Sequence, residues 1–193
     1  MSSFDARAKE WDKSTRRQAL ARAVAKCIEG SIDRPVSILD FGCGTGLVSY
    51  NLTHLAKKIV GVDSSKKMRE VFNEKSPSPT IYATDTIPNE RFDVILTSMT
   101  LHHIEDIPSL VKKFYDHLEN DGLLFVADLY MEDGSFHDHG NEGVAHFGFD
   151  PKELRGIFEN IGFEFIDENE VFRIQKEKEY PIFCMVFRKA FKE

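Results

Sequence analysis

The chain has 193 residues, 41% of them apolar and 30% charged, and a net charge of −7 from 25 basic and 32 acidic side chains. That length and composition suit one domain with a buried core, and no stretch approaches the ~20 apolar residues of a membrane span. A surface that on average repels phosphate argues against a nucleic-acid partner. The most basic stretches, Thr15-Arg16-Arg17 and Lys66-Lys67-Met68-Arg69, fall on expected helices and read as solvated faces. Cys27, Cys43 and Cys184 are odd in number, far apart and free of any Cys-x-x-Cys spacing. Neither a disulfide framework nor a cysteine zinc site is expected, and a reducing cytoplasm is. The opening residues show no basic flank followed by an apolar run, so no secretory signal is expected.

Strands alternate with helices along the chain, the pattern of a mostly parallel sheet covered on both faces. The spacing of Ala8, Trp11, Thr15, Ala19 and Ala23 predicts one helix over residues 4–29. Residues 36–41 form a short apolar strand, as burial on both faces requires, and run into a glycine turn at 42–46. A helix continues to about residue 56. The second strand, residues 59–62, ends at Asp63, and Ser64 or Ser65 then caps a helix carrying Met68, Val71 and Phe72. Strands follow at 80–83 and 92–97. Ile107, Leu110, Val111, Phe114 and Leu118 give the next helix its buried face, with Pro108 in its first turn. Asp121-Gly122 turns into a fifth strand at 123–127. Asp150-Pro151-Lys152-Glu153 starts a helix whose buried face is Leu154, Ile157, Phe158 and Ile161, and Gly162 stops it. Residues 163–174 and 180–188 have no helix between them and are expected to pair antiparallel. The expected fold is α/β: a doubly wound, mostly parallel seven-stranded sheet with an antiparallel C-terminal hairpin, in a single domain over residues 1–193.

The most informative stretch is Ile38-Leu39-Asp40-Phe41-Gly42-Cys43-Gly44-Thr45-Gly46. A buried strand meets glycines at alternate positions and then a helix. Glycine lets the backbone turn tightly and leaves room for a ligand against the main chain, and amides at a helix N-terminus favour its negative groups. In an open α/β sheet this crevice at the carboxyl ends of the strands is the expected ligand site. Asp63 ends the second strand, where a carboxylate accepts hydrogen bonds from both hydroxyls of a ribose. Asp85 lies just beyond the third strand, within reach of an adenine amino group. The three features in succession describe a nucleoside site.

These motifs resemble the class I S-adenosylmethionine-dependent methyltransferases, especially the branch that modifies small molecules such as quinone precursors. Residues 38–46 are similar to that family's glycine motif and Val62-Asp63-Ser64-Ser65-x-x-Met68 to its second. Phe92-Asp93-Val94-Ile95-Leu96-Thr97 with Leu101-His102-His103-Ile104-Glu105-Asp106 is similar to its fourth-strand motif, and residues 122–128 to its fifth. Phe4-Asp5-x-x-Ala8-x-x-Trp11-Asp12 resembles an N-terminal helix that covers the cofactor. The resemblance implies three stretches: a covering helix over 1–30, a cofactor-binding half over 31–128, and a substrate-facing loop, helix and hairpin over 129–193. It also implies that S-adenosylmethionine is the cofactor and S-adenosylhomocysteine the product. The backbone at Gly42, Gly44 and Gly46 would hold the methionine moiety and Asp40 its amino group. Asp63 would hold the ribose, with Ser64 and Met68 near the adenine. Asp85 and Thr86 would read the adenine edge, and Thr97 would lie beneath the sulfonium.

Other readings differ in what they need. A nicotinamide dehydrogenase wants Gly-x-Gly-x-x-Gly, and Leu47 stands where its third glycine belongs. A non-catalytic cofactor-binding or regulatory partner domain would keep the glycine turn and both carboxylates yet transfer nothing. Trp11 is expected to close over the cofactor or substrate, which is compatible with its being a core aromatic on the same helix. His102 and His103 are candidate substrate residues, with a hydrogen bond to local backbone as the alternative, more so for His103. The stretch 135–148 holds His137, His139 and His146 with Asp138 and Glu142, at a spacing that matches no zinc pattern, so it reads as a polar loop and no metal is expected. His146, flanked by apolar residues ahead of the capped helix, is the candidate general base. The fourth strand ends in Thr97-Ser98-Met99-Thr100, not the Asn/Asp-Pro-Pro-Tyr/Phe run of enzymes that methylate exocyclic base amines. A small-molecule acceptor is therefore expected.

Overall fold

A computed structural model describes residues 3–138 and 140–190. One seven-stranded sheet has the order β3-β2-β1-β4-β5-β7-β6. The parallel strands are β1 (Val36–Phe41), β2 (Ala56–Val62), β3 (Ile81–Thr84), β4 (Phe92–Ser98) and β5 (Leu118–Leu129). The hairpin β6 (Phe163–Gln175) and β7 (Glu179–Lys189) closes one edge, with β7 lying antiparallel between β5 and β6.

Successive residues of the central strands serve opposite faces, which is why those strands read as unbroken apolar runs. Ile38, Ile59, Val94 and Phe125 join the core beneath α2 (Thr15–Glu29), α3 (Leu47–Asn51) and α4 (Lys66–Glu74). Leu39, Val60, Ile95 and Leu124 join the core beneath α5 (Ile107–His117) and α6 (Pro151–Ile161). The hairpin contributes to the second core through Phe187, whose ring stacks on Phe158 at 4.4 Å between centroids and 12° between planes.

Three expected elements differ. The single helix over 4–29 is divided into α1 (Ser3–Arg7), a 3-10 turn (Ala8–Lys13) and α2. Ser14 causes the break: its backbone is extended, and its hydroxyl caps α2 by accepting the Arg17 N–H at 3.3 Å. The helix after the glycine turn is only five residues long, followed by a 3-10 turn, so that β2 begins at Ala56. Leu118 opens β5 instead of ending a helix, and Asp121 takes a left-handed φ of 60° within that strand.

The strand order reverses direction between β1 and β4, which opens a crevice at their carboxyl ends. The loop after β4, the glycine turn after β1 and the end of β5 all meet there.

Candidate active site

Gly42, Gly44 and Gly46 have φ of 76°, 53° and 88°, values that side-chain-bearing residues rarely adopt. The turn is pinned to the next strand: the Gly42 and Cys43 amides both donate to the Val62 carbonyl, at 2.7 and 3.1 Å. A Cβ on Gly42 would lie 2.0 Å from Thr100 Oγ1, so glycine is also required there by the loop after β4. A Cβ on Gly44 would meet nothing within 4 Å. The backbone is thus bare and open at Gly44, as a ligand cradle requires.

The expected cofactor residues are in different states. Asp40 is buried, and its carboxylate accepts from Ser49 Oγ at 2.6 Å. Burial pushes its carboxyl up to about 7, with the Ser49 hydrogen bond opposing and the Asp63 charge adding to the rise. Asp63, half-buried, bridges two backbone amides, Gly44 N and Ser65 N, each at 2.8 Å. Ser65, not Ser64, caps α4, accepting the Met68 amide at 3.2 Å. Ser64 is exposed. Met68 is buried on the same face of α4 as Phe72, so it supports the crevice floor instead of projecting into it. Asp85 and Thr86 are exposed just beyond β3. Thr97 is buried, and its Oγ1 has no hydrogen-bond partner among the described residues. The orphaned Thr97 hydroxyl, at the end of β4 beside β1, and the bare glycine backbone both fit a bound polar ligand.

The N-terminal segment is anchored over the turn by the two aspartates of its own motif. Thr45 Oγ1 donates to the Asp12 carboxylate, and Ser65 Oγ donates to Asp5 at 2.6 Å. Trp11 lies on the 3-10 turn, half-exposed, with the Arg17 guanidinium 3.7 Å from its ring centroid. Its aromatic face is therefore already engaged by a cation.

The histidines are arranged differently from their chain spacing. His102 is buried in a 3-10 turn (Leu101–His103), with its Nδ1 2.7 Å from Asp128 Oδ1, and its backbone amide donates to Asp128 Oδ2 at 3.2 Å. Asp128 was visible in sequence only as part of a strand motif. The register Ser98↔Ala127 brings the residues just past β4 alongside it, a signal readable once β4 and β5 are known to be neighbours. Burial disfavours charge on His102, but the Asp128 carboxylate outweighs this and raises its pKa overall. His103 Nδ1 donates to the Gly143 carbonyl at 2.7 Å, a partner 40 residues away and not local backbone. His146 Nε2 bonds the Ile104 carbonyl at 2.9 Å, and its ring lies 5.3 Å from that of Phe149. The Ala145 and His146 amides both donate to the His102 carbonyl. The loop after β5 is therefore clasped onto the histidine turn. His137 reaches the same place, its ring 5.2 Å from His102 and 5.6 Å from His103. Burial, then the two neighbouring histidines, push its pKa down to about 4. His139 lies outside the described residues.

Two open depressions lie apart from this crevice. One, of about 480 Å³, is lined by Cys27, Gly30, Asp167 and Val186, and the other by Tyr130, Lys178 and Pro181. Neither includes a glycine-turn residue or a histidine.

Comparison with known proteins agrees with this geometry. Residues 12–168 match the family model described as a methyltransferase domain. An uncharacterized methyltransferase of Schizosaccharomyces pombe is 37% identical over 154 residues, 65% of this chain and 52% of that protein. A ubiquinone biosynthesis O-methyltransferase of Pelagibacter ubique is 35% identical over 109 residues, 51% of this chain and 45% of that protein. The chain thus spans about half the length of these relatives. Among solved structures, DhpI in complex with SAH superposes with a TM-score of 0.76 at 16% identity, covering 98% of this chain and 94% of that one. A Haloferax volcanii chain in complex with the Trm112 methyltransferase activator superposes with a TM-score of 0.81 at 15% identity, covering 99% of both. With its glycine turn and sheet order, the chain belongs to the methyltransferase domain family, of the class I S-adenosylmethionine-dependent type.

Proposed function

We propose that the protein transfers the methyl group of S-adenosylmethionine to a small-molecule acceptor by in-line displacement and releases S-adenosylhomocysteine. The observation that carries this reading is the bare backbone at Gly44, open at the switch point between β1 and β4 and flanked by Asp63. When bound, the cofactor supplies a methyl already activated on a sulfonium, so the protein's task is to position and to exclude water.

Each residue has a role consistent with its place. Asp40 receives the amino group of the methionine moiety, whose positive charge offsets the cost of ionising a buried carboxyl. Asp63 exchanges its two backbone amides for ribose hydroxyls. Asp85 and Thr86 meet the adenine edge, with Ser64 beside it and Met68 beneath. Thr97 gives its unpaired hydroxyl a partner under the sulfonium. The anchors Asp12–Thr45 and Asp5–Ser65 hold the N-terminal segment, with Trp11, over the opening. The acceptor enters from the side of His102 and His103. His146, the candidate base from sequence, can take a proton only through Nδ1, because Nε2 is engaged by Ile104. The Asp128 carboxylate fixes the ring of His102 on that side.

The acceptor class rests on two supports. Relatives named as ubiquinone biosynthesis O-methyltransferases favour an oxygen nucleophile on a small molecule. The net charge of −7 disfavours a nucleic acid. No helix among the described residues is long and apolar enough to cross a membrane, and three free thiols suit a reducing compartment such as the cytoplasm. The same reading treats residues 1–193 as one methyltransferase domain.

Calorimetry with S-adenosylmethionine, S-adenosylhomocysteine and NAD, on the native protein and on Asp63→Ala, tests the site. Binding of the first two, lost in the variant, is expected. A screen of phenolic acceptors for S-adenosylhomocysteine release tests transfer. Preference for NAD would overturn the reading. Cofactor binding without turnover on any acceptor would favour a second reading, half of a two-protein enzyme, for which the Trm112-bound structural neighbour is the precedent.

A further inference from the structure

We propose that His102, His103 and His137 bind a divalent transition-metal ion of the zinc class beside the acceptor side of the crevice. One ligand nitrogen from each ring lies within 4.8 Å of the others. The rings come from two segments far apart in the chain, the turn after β4 and the loop after β5, and the fold alone brings them together.

Second-sphere contacts favour coordination. Metal-binding histidines characteristically donate the N–H of one ring nitrogen to a carboxylate or backbone carbonyl, which fixes the tautomer and turns the other nitrogen's lone pair toward the ion. His102 makes this contact with Asp128 and His103 with Gly143 O, both through Nδ1 at 2.7 Å. A carbonyl oxygen cannot donate, so His103 Nδ1 carries the hydrogen and Nε2 the lone pair. His137 supplies an independent observation: its Nδ1 is buried and has no hydrogen-bond partner. A buried ring nitrogen without a partner is costly unless something occupies the space it faces. Glu132 has a second such atom, Oε1, while its Oε2 accepts from the Ser135 and Phe136 amides just ahead of His137.

Three neutral imidazoles suit zinc, copper, nickel or iron(II) and not magnesium or calcium. Three-histidine zinc sites keep a fourth position for water or substrate. Tetrahedral bonds of ~2.0–2.1 Å set ligand nitrogens about 3.3 Å apart, so the rings must draw inward. His137 sits between Gly134 and Gly140, whose φ are 85° and 86°. The fourth position would coordinate an oxygen of the acceptor and ease loss of its proton to solvent. That last role rests on the methyl-transfer reading; the ion site itself does not.

Chelator-stripped protein without an affinity tag is titrated with Zn²⁺ by calorimetry and with Co²⁺ by visible absorption. One equivalent should bind, with the intense d–d bands of a tetrahedral cobalt site. His137→Ala and His103→Gln should each weaken binding at least 100-fold, Asp128→Asn about 10–100-fold, and the remote His117→Ala not at all. His137 is on a surface loop, and native circular dichroism with retained S-adenosylhomocysteine binding confirms that its variant is folded. Absence of stoichiometric binding by the native protein, or binding unaffected by both ligand variants, overturns the proposal. Metal binding without methyl transfer leaves the ion site standing and removes the methyl-transfer reading. Transfer unaffected by stripping, with no metal bound, does the reverse.

Discussion

Replacing Asp40 by Asn should make the protein's stability less dependent on pH, and the structure sets the size of the effect. The carboxyl is buried, so ionising it costs solvation that a single Ser49 hydrogen bond restores only in part. Its ordinary value of 3.8 in the unfolded chain rises to about 7 in the fold. Between those two values the native state holds a proton that the unfolded state has lost, so stability falls as pH rises through the window. The slope is about 1.4 kcal/mol per pH unit, and the total loss is about 4 kcal/mol, an upper bound because a buried site relaxes when charged. Below about 4 the contribution is fully present; above about 7 it is gone and the curve is flat again. Asn keeps an acceptor for Ser49 and has no proton to lose. Urea unfolding of both proteins without cofactor, from pH 4 to pH 8, should therefore show the difference widening toward neutral pH in favour of the variant. Parallel curves would refute the claim that Asp40 is held as a buried acid. Saturating S-adenosylmethionine should shrink the difference, because its ammonium favours the carboxylate only in the wild type.

Other outcomes follow from the same geometry. Gly42→Ala places a methyl 2.0 Å from Thr100 Oγ1 at a φ of 76°, and should cost at least ~2 kcal/mol in urea unfolding. Adding Thr100→Gly, which also removes the Thr100 Cβ that would lie 2.6 Å away, should recover the steric part and leave ~1–2 kcal/mol of left-handed strain, whereas additive losses would contradict the contact. Asp63→Ala leaves the Gly44 and Ser65 amides without their acceptor and should weaken S-adenosylhomocysteine at least tenfold by calorimetry, with Asp63→Asn intermediate; equal affinity in all three would remove the ribose role. Phe158→Ala deletes a fully buried ring stacked on Phe187 and should cost ~3–5 kcal/mol while cofactor affinity per folded molecule is unchanged.

The strand and glycine turn at the crevice were legible because their signals are local. A strand buried on both faces must be a continuous apolar run, and a backbone that turns through left-handed φ toward a ligand must be glycine, so residues 36–46 state their structure in composition alone. The capped start at Asp150 is equally local, its side chain accepting the Lys152 and Glu153 amides as the sequence implied. The break at Ser14 was missed although serine is a capping residue, since the small-residue periodicity through Trp11 continues on both sides of it.

The histidine side of the crevice was illegible for the opposite reason. His102 and Asp128 are 26 residues apart, and His103 and Gly143 are 40 apart; nothing in the chain between them signals that they meet. Spacing within 135–148 compared His137 with His139 and His146, its neighbours in sequence, while the fold pairs His137 with His102 and His103 and gives His146 to the Ile104 carbonyl. Propensity and periodicity act over a few residues and determined the elements, their order and the glycine cradle. Register between β4 and β5, and the clasp of the later loop onto the histidine turn, act over tens of residues and were decided only when burial of both sheet faces brought those strand ends together.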